Sequence, residues 1–168
     1  MGPIIIAAVA HENVIGCRGI LPWGHLHADL KRFKAITLGH TVVMGYETFT
    51  SLGRPLHGRN NLILTRHPQK LVRFGSLVGH VDSVESVIEI AEKKEVFIIG
   101  GGNVYQQFIK RPEVRIMYIT RISSRFHGDV FFPNFSTDDW KMTRRDEHDA
   151  VGNENTFPLS FETWIRKK

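Results

Sequence analysis

The chain has 168 residues, 42% of them hydrophobic and 23% charged, and 22 Lys and Arg against 17 Asp and Glu leave a formal net charge of +5. That length is a prior for one domain, and that balance excludes disorder and membrane spanning as the main state. A single cysteine, Cys17, excludes an internal disulfide, and the basic residues are spread along the chain instead of forming a nucleic-acid stripe, so a cytoplasmic protein independent of nucleic acid and membranes is expected.

The first element is a buried β-strand over Ile4–Ala10, a continuous apolar run with no Lys or Arg before it and so not expected to act as an export signal. The loop from Asn13 to Trp23 follows, with Gly16, Gly19 and Pro22 interrupting apolar residues. Its length exceeds the usual two to six or so residues, which favours a mobile lid over a plain connection with a half-buried Trp. A helix is predicted over 26–37, where Leu26, Leu30, Phe33 and Thr37 recur at helical spacing and define a buried stripe, with Lys31, Arg32 and Lys34 outside it. Asp29, the only carboxylate of that helix, lies on the edge of the stripe. It is either a first-turn residue favoured by the helix dipole or a carboxylate held in an apolar cleft to bind a cationic heterocycle, and periodicity leaves the two even.

Strands are predicted next at Thr41–Met44, Leu62–Thr65, Val96–Ile99 and Arg115–Ile122, alternating with helices at 47–52, 84–94 and 103–110. Asp82 or Ser83 is the N-cap candidate for the helix at 84–94. Trp140–Arg145 and Phe157–Arg166 alternate in the manner of an antiparallel finish. Two strand-to-helix junctions carry glycine: Gly45 before Thr48, and Gly100-Gly101-Gly102 after Ile99. Neither is a GxGxxG or GxxxxGK[ST] fingerprint, yet together they suit a nucleotide pyrophosphate, because glycine admits close backbone approach and helix N-termini favour phosphate. His25, His27 and Asp29 spread around a helix, and with no HExxH and no Cys/His pairing no metal is expected.

Taken in chain order, these segments resemble dihydrofolate reductases closely. The matching stretches are Ile6–Val9, Val14-Ile15-Gly16, Leu21-Pro22-Trp23, Asp29-Leu30 and Phe33-Lys34, then Val43-Met44-Gly45, Thr48-Phe49, Ser51–Leu56, Gly58-Arg59 and Asn61. Ile99–Gly102, Val104-Tyr105, Tyr118-Ile119-Thr120 and Gly128–Pro133 complete the set. The resemblance spans nearly the whole chain and implies one reductase domain over 1–168. The implied fold is α/β, with a central, mostly parallel eight-stranded sheet, an antiparallel C-terminal strand and flanking helices. The implied reaction is hydride transfer from NADPH to C6 of 7,8-dihydrofolate, with N5 gaining a proton. The protein is expected to work as a monomer and to bind dihydrofolate and antifolate inhibitors.

The same resemblance implies residue roles. Asp29 anchors the pterin and promotes N5 protonation through water, Thr120 supports it, Trp23 holds an ordered water, and Leu21 closes the lid, with Asp129 as a loop partner near Gly16. The substrate wall comprises Ile6, Ala7, Leu30, Phe33, Leu52, Leu56 and Ile99, with Arg54 nearby and Arg59 clamping the glutamate-tail carboxylate. Cofactor positions are Ala8, Ile15, Gly16, Gly45, Tyr46, Thr48, Leu64, Thr65, Arg66, Gly100, Gly101, Gly102, Asn103, Val104 and Tyr105, with a cis peptide implied between Gly100 and Gly101. Two departures stand out. One extra residue separates Trp23 from Asp29, and Tyr46-Glu47 with Asn103 stand where many members carry basic residues for the 2′-phosphate, leaving Arg66 at such a position.

Overall fold

A computed structural model describes residues 2–150 and 157–168. Ten strands and four α-helices follow one another along it. The strands are β1 (Ile4–Val9), β2 (Val14–Gly16), β3 (Thr41–Gly45), β4 (Asn60–Leu64), β5 (Gly79–Val81), β6 (Val96–Gly100), β7 (Ile116–Ile122), β8 (Val130–Phe131), β9 (Trp140–His148) and β10 (Leu159–Arg166). The helices are α1 (His27–Thr37), α2 (Tyr46–Leu52), α3 (Val84–Lys93) and α4 (Gly102–Phe108). Eight strands form one sheet in the order β5-β4-β3-β6-β1-β7-β10-β9, while β2 and β8 pair separately. From β5 to β7 every neighbouring pair is parallel; β10 then runs antiparallel to β7, and β9 antiparallel to β10.

The apolar runs become strands because both faces of the sheet are covered, so no position needs to be polar. Ile5, Ala7, Val9, Val43 and Ile98 point to one side, against Val87 and Ala91 of α3 and Val104 and Phe108 of α4. Ile4, Ile6, Val42, Met44 and Phe97 point to the other, where Phe49 of α2 and the half-buried Phe33 of α1 pack. Ser83 is the N-cap of α3 and accepts a hydrogen bond from the Ser86 amide at 3.2 Å. Gly53 closes α2 in the left-handed region at φ 71°, a conformation glycine adopts without steric cost.

Three features depart from the sequence expectation. The loop from Asn13 to Trp23 contains β2, whose partner β8 lies more than a hundred residues on. The segment between β4 and β5 winds into 3₁₀ turns over Pro68–Leu77, and β5 has only three residues. In α1, Leu26 and Thr37 are buried as expected, but Leu30 is 39% exposed. The stripe is therefore not continuous core: its middle faces an open cleft.

Candidate active site

That cleft has a volume of about 650 Å³ and opens at the carboxyl ends of β1, β3 and β6. A space of that size suits a substrate or cofactor. β1 contributes Ile6, Ala7 and Ala8; β2 and the lid loop contribute Ile15, Gly16 and Leu21; α1 contributes Asp29, Leu30 and Phe33. Gly45, Tyr46, Thr48 and Leu52 line it from the β3–α2 junction, joined by Leu56 and Leu64. Ile99, Gly100, Gly101, Gly102, Asn103, Val104 and Tyr105 line it from β6 and α4. The wall also includes Ser51, Gln107 and Val130, which the sequence reading missed. Helical spacing from Thr48 and Asn103 carries a signal for the first two. Val130 arrives only through the β2–β8 pairing, which no local pattern announces.

Asp29 is the more enclosed of the two carboxylates on this wall, Glu47 being the exposed one. Burial raises its carboxyl above the ordinary carboxylate range, opposed by a hydrogen bond from the Thr120 side chain and by the nearby Arg32 charge. Thr120 is buried on β7, opposite Ala8 of β1 on one side and Phe161 of β10 on the other. Tyr105 is buried within the wall, and its phenol donates to the Ile6 carbonyl at 2.8 Å. Desolvation and the Asp29 charge push that phenol upward, so it stays neutral. The α1 side of the cleft thus presents one carboxylate on a largely apolar surface, which suits recognition of a flat, cationic or N–H-rich heterocycle.

The glycine junctions take up the opposite part. The Gly100–Gly101 peptide is cis, as the resemblance implies, and Gly100 has φ 118°. A Cβ on Gly101 would come within 3.0 Å of Thr48 Oγ1, and one on Gly102 within 2.9 Å of the Phe131 carbonyl oxygen. Side chains there would collide with α2 and β8, so the glycines let the start of α4 sit close against both. Gly45 meets Val104 in the same way, at 3.1 Å.

Six expected site residues lie off the wall. Trp23 is buried with Ala10, Val14 and Leu26, edge-on to Phe126 at 5.8 Å. The extra residue before Asp29 is absorbed by a turn, in which the Gly24 amide (φ 68°) donates to the Leu21 carbonyl at 3.0 Å. Thr120 sits behind Asp29. Arg59 is half-buried at the rim, where Nε donates to the His57 carbonyl at 3.0 Å and Nη1 to Thr37 Oγ1 at 3.3 Å. Thr65 accepts from the His67 amide at 3.0 Å, and Arg66 and Arg54 are exposed. The lid is tied down at its middle: the Arg18 amide donates to both Asp129 carboxylate oxygens at 3.1 and 3.0 Å, and the Asp129 amide donates to the Gly16 carbonyl at 3.1 Å. Ser51 of α2 also donates to the Gly19 carbonyl.

Beside the expected groups stands one the sequence reading set aside. Arg32 is half-buried, its guanidinium 4.5 Å from the Phe161 ring centroid, with Nη1 3.5 Å from Thr120 Oγ1. Glu47 lines the cleft next to Tyr46, whose ring lies under the Lys70 ammonium at 4.9 Å. Among the described residues no group of three or more His, Cys, Asp or Glu side chains gathers in metal-holding geometry.

Comparison with known proteins gives the same picture at the level of whole chains. The family model described as dihydrofolate reductase matches residues 4–166. A dihydrofolate reductase type 3 of Salmonella typhimurium is 38% identical over 164 residues, covering 98% of each chain. The dihydrofolate reductase of Staphylococcus aureus strain Mu50 is 40% identical over 162 residues, covering 95% of this chain and 96% of that one. A solved structure of the Enterococcus faecalis dihydrofolate reductase, complexed with NADP(H) and RAB-propyl, superposes with a TM-score of 0.90 at 34% identity, covering 99% of this chain and 97% of that one.

Proposed function

The chain belongs to the dihydrofolate reductase family, and on that premise we propose that it reduces 7,8-dihydrofolate to 5,6,7,8-tetrahydrofolate with NADPH, supplying one-carbon metabolism. The observation that carries this reading is the sharing of one cleft by the partly buried Asp29 and the glycine junction at Gly100–Gly102. One end offers an anion for a pterin, the other backbone amides for a pyrophosphate. The residues fit the cofactor, because Gly45 and Gly100, Gly101 and Gly102 line the cleft without side chains, beside the backbone amides at the start of α4.

NADPH, when bound, supplies the hydride that goes to C6. The chain's own residues do the rest. Asp29 accepts hydrogen bonds from the 2-amino and N3 positions of the pterin and, through a water molecule, favours the proton on N5. Thr120 fixes the carboxylate by donating to it. Ile6, Ala7, Leu30, Phe33, Leu52, Leu56 and Ile99 exclude bulk water from the hydride path, and Leu21 closes over it from the lid. Trp23 anchors the lid's end and holds the ordered water. Arg59 clamps the glutamate tail at the rim, with Arg54 beside it on the substrate side. Ala8, Ile15, Gly16, Thr48, Leu64, Val104 and Tyr105 form the cofactor channel, and Thr65 with Arg66 receives the 2′-phosphate. Glu47 beside that phosphate weakens, without abolishing, the preference for NADPH over NADH.

Residues 1–168 act as one reductase domain, in a monomer that works in the cytoplasm and also binds antifolates. No helix among the described residues is long and apolar enough to cross a membrane, which is compatible with that placement. Dihydrofolate-dependent oxidation of NADPH, followed at about 340 nm where the reduced nicotinamide absorbs, tests the proposal. Turnover that needs both compounds supports it; oxidation without dihydrofolate, or none with it, overturns it.

A further inference from the structure

Arg32 lies three residues after Asp29 on α1, so the two side chains share a face of the helix. Its guanidinium is held from several sides. It stacks on the Phe161 ring at 4.5 Å, lies 5.6 Å from the Tyr118 ring, and donates from Nη1 to Thr120 Oγ1 at 3.5 Å. Phe161 and Thr120 are cross-strand partners, and Tyr118 is two residues before Thr120 on the same face of β7. The guanidinium is therefore seated by the sheet itself, on a platform that also carries the Thr120 hydroxyl facing Asp29. Among the described residues no carboxylate comes within 4.0 Å of it, although most of the other surface arginines that approach acids do so at 2.7–3.4 Å. A half-buried cation lacking a close counter-ion, placed behind an active-site carboxylate, acts through its field.

We propose that Arg32 is a positioning residue for the proton step: seated on Phe161 and Thr120, it favours the ionised form of the Asp29 carboxylate in the free enzyme and orients it through the Thr120 hydroxyl. The inference rests on the proposed reductase reading for its catalytic consequence, but not for the state of Asp29 itself. The ionisable groups facing this cluster are few. Asp29 lies on α1, the neutral Tyr105 phenol on α4, Tyr118 on β7, and Asp146 with Arg144 on β9. Asp146 is the cross-strand partner of Phe161 and is engaged by Arg144 Nε at 2.7 Å, so its charge is largely offset. His148 of β9 packs on the Phe161 ring at 4.6 Å and is exposed. Burial pulls the Arg32 guanidinium below its usual range, yet a guanidinium remains charged across the working range of an enzyme.

The proton of the reaction is shared between Asp29 and the pterin N5, so the fall of the hydride step at alkaline pH belongs to the pair. A fixed cation lowers the pH at which either group loses its proton. Arg32→Met keeps a long apolar stem on Phe161 and removes the charge; Arg32→Lys keeps the charge and removes the planar fork. With Asp 13Cγ labelling, NMR titration of the ligand-free protein reads Asp29 directly. Its midpoint is expected to rise by about one pH unit in Arg32→Met and to move by less than about 0.3 in Arg32→Lys. In single-turnover hydride transfer at saturating substrate, the alkaline fall should shift upward by a similar amount in Arg32→Met only. An unmoved Asp29 titration in Arg32→Met, or equal shifts in Met and Lys variants, overturns the role of the charge whether or not the protein turns over dihydrofolate. A wild-type protein without dihydrofolate-dependent turnover fails the reductase reading instead. Should Arg32→Met not fold, Arg32→Gln, which can still donate to Thr120, takes the same titration with the same expected rise.

Discussion

Replacement of Arg59 by Ala separates a ligand clamp from a structural arginine. Its guanidinium has five N–H donors, and two of them are occupied, by the His57 carbonyl at 3.0 Å and by Thr37 Oγ1 at 3.3 Å. Three remain, enough for a two-pronged grip on a carboxylate, and the Phe33 ring 5.9 Å away helps hold the group at the cleft rim. A hydrogen-bonded charge pair is worth about 1.5–3 kcal/mol, and the half-exposed rim favours the lower part of that range. A loss of about 1.5–2 kcal/mol corresponds to a rise of about 12- to 30-fold in KM. The fold should feel little, since Thr37 keeps its own hydrogen bond to the Phe33 carbonyl at 2.8 Å. Steady-state assays with dihydrofolate and with a dihydropterin lacking the glutamate tail read the difference. KM should rise for the first and stay within about twofold for the second. Equal losses for both substrates, or a large drop in melting temperature, would refute the clamp.

Asp29→Asn should fold and lose most turnover at neutral pH, with partial recovery as pH falls and substrate arrives protonated; near wild-type kcat at pH 7 would exclude Asp29 from the proton step. Because burial raises the folded-state carboxyl above its unfolded value, ionised Asp29 costs stability that is regained at low pH. The Asn variant should therefore be the more stable at pH 7, and urea melts should show the advantage shrinking as pH falls toward about 4 and largely gone below it. Glu47→Lys should tighten NADPH by about two- to fivefold, less at high salt, and leave NADH unchanged; titrations of both cofactors at two ionic strengths would expose equal shifts, which would point Glu47 elsewhere. Gly102→Ala should cost about 1–3 kcal/mol in urea unfolding and raise KM for NADPH, because its Cβ meets the Phe131 carbonyl oxygen at 2.9 Å. An Ala variant as stable and as tight as the parent would show that β8 yields freely.

The strands through Ile4–Val9, Thr41–Gly45 and Val96–Gly100 were legible because a parallel strand covered on both faces reads as an unbroken apolar run. β5 was not, since a three-residue strand with His80 at its centre carries no period. Neither were β2 and β8, which exist by pairing with each other across most of the chain. At the site, Asp29 and the glycines are readable from residue type and spacing; spacing alone puts Leu30 in the core, because apolar periodicity does not distinguish a cleft from a core, and only the family resemblance puts it on the substrate wall. The sequence places Arg32 only outside the apolar stripe, where an arginine normally faces water. Its seat requires the register that sets Phe161 opposite Thr120, and that is a property of the folded sheet alone.

Isotope transfer tests the central claim most directly. NADPH carrying two deuterons at C4 of the reduced nicotinamide is incubated with the protein and dihydrofolate, and the recovered folate is examined by NMR and mass spectrometry. The cleft geometry and the family assignment predict tetrahydrofolate with one deuteron, located at C6, and a proton from solvent at N5. Unlabelled product, label at another carbon, or oxidised cofactor without reduced folate would contradict the account.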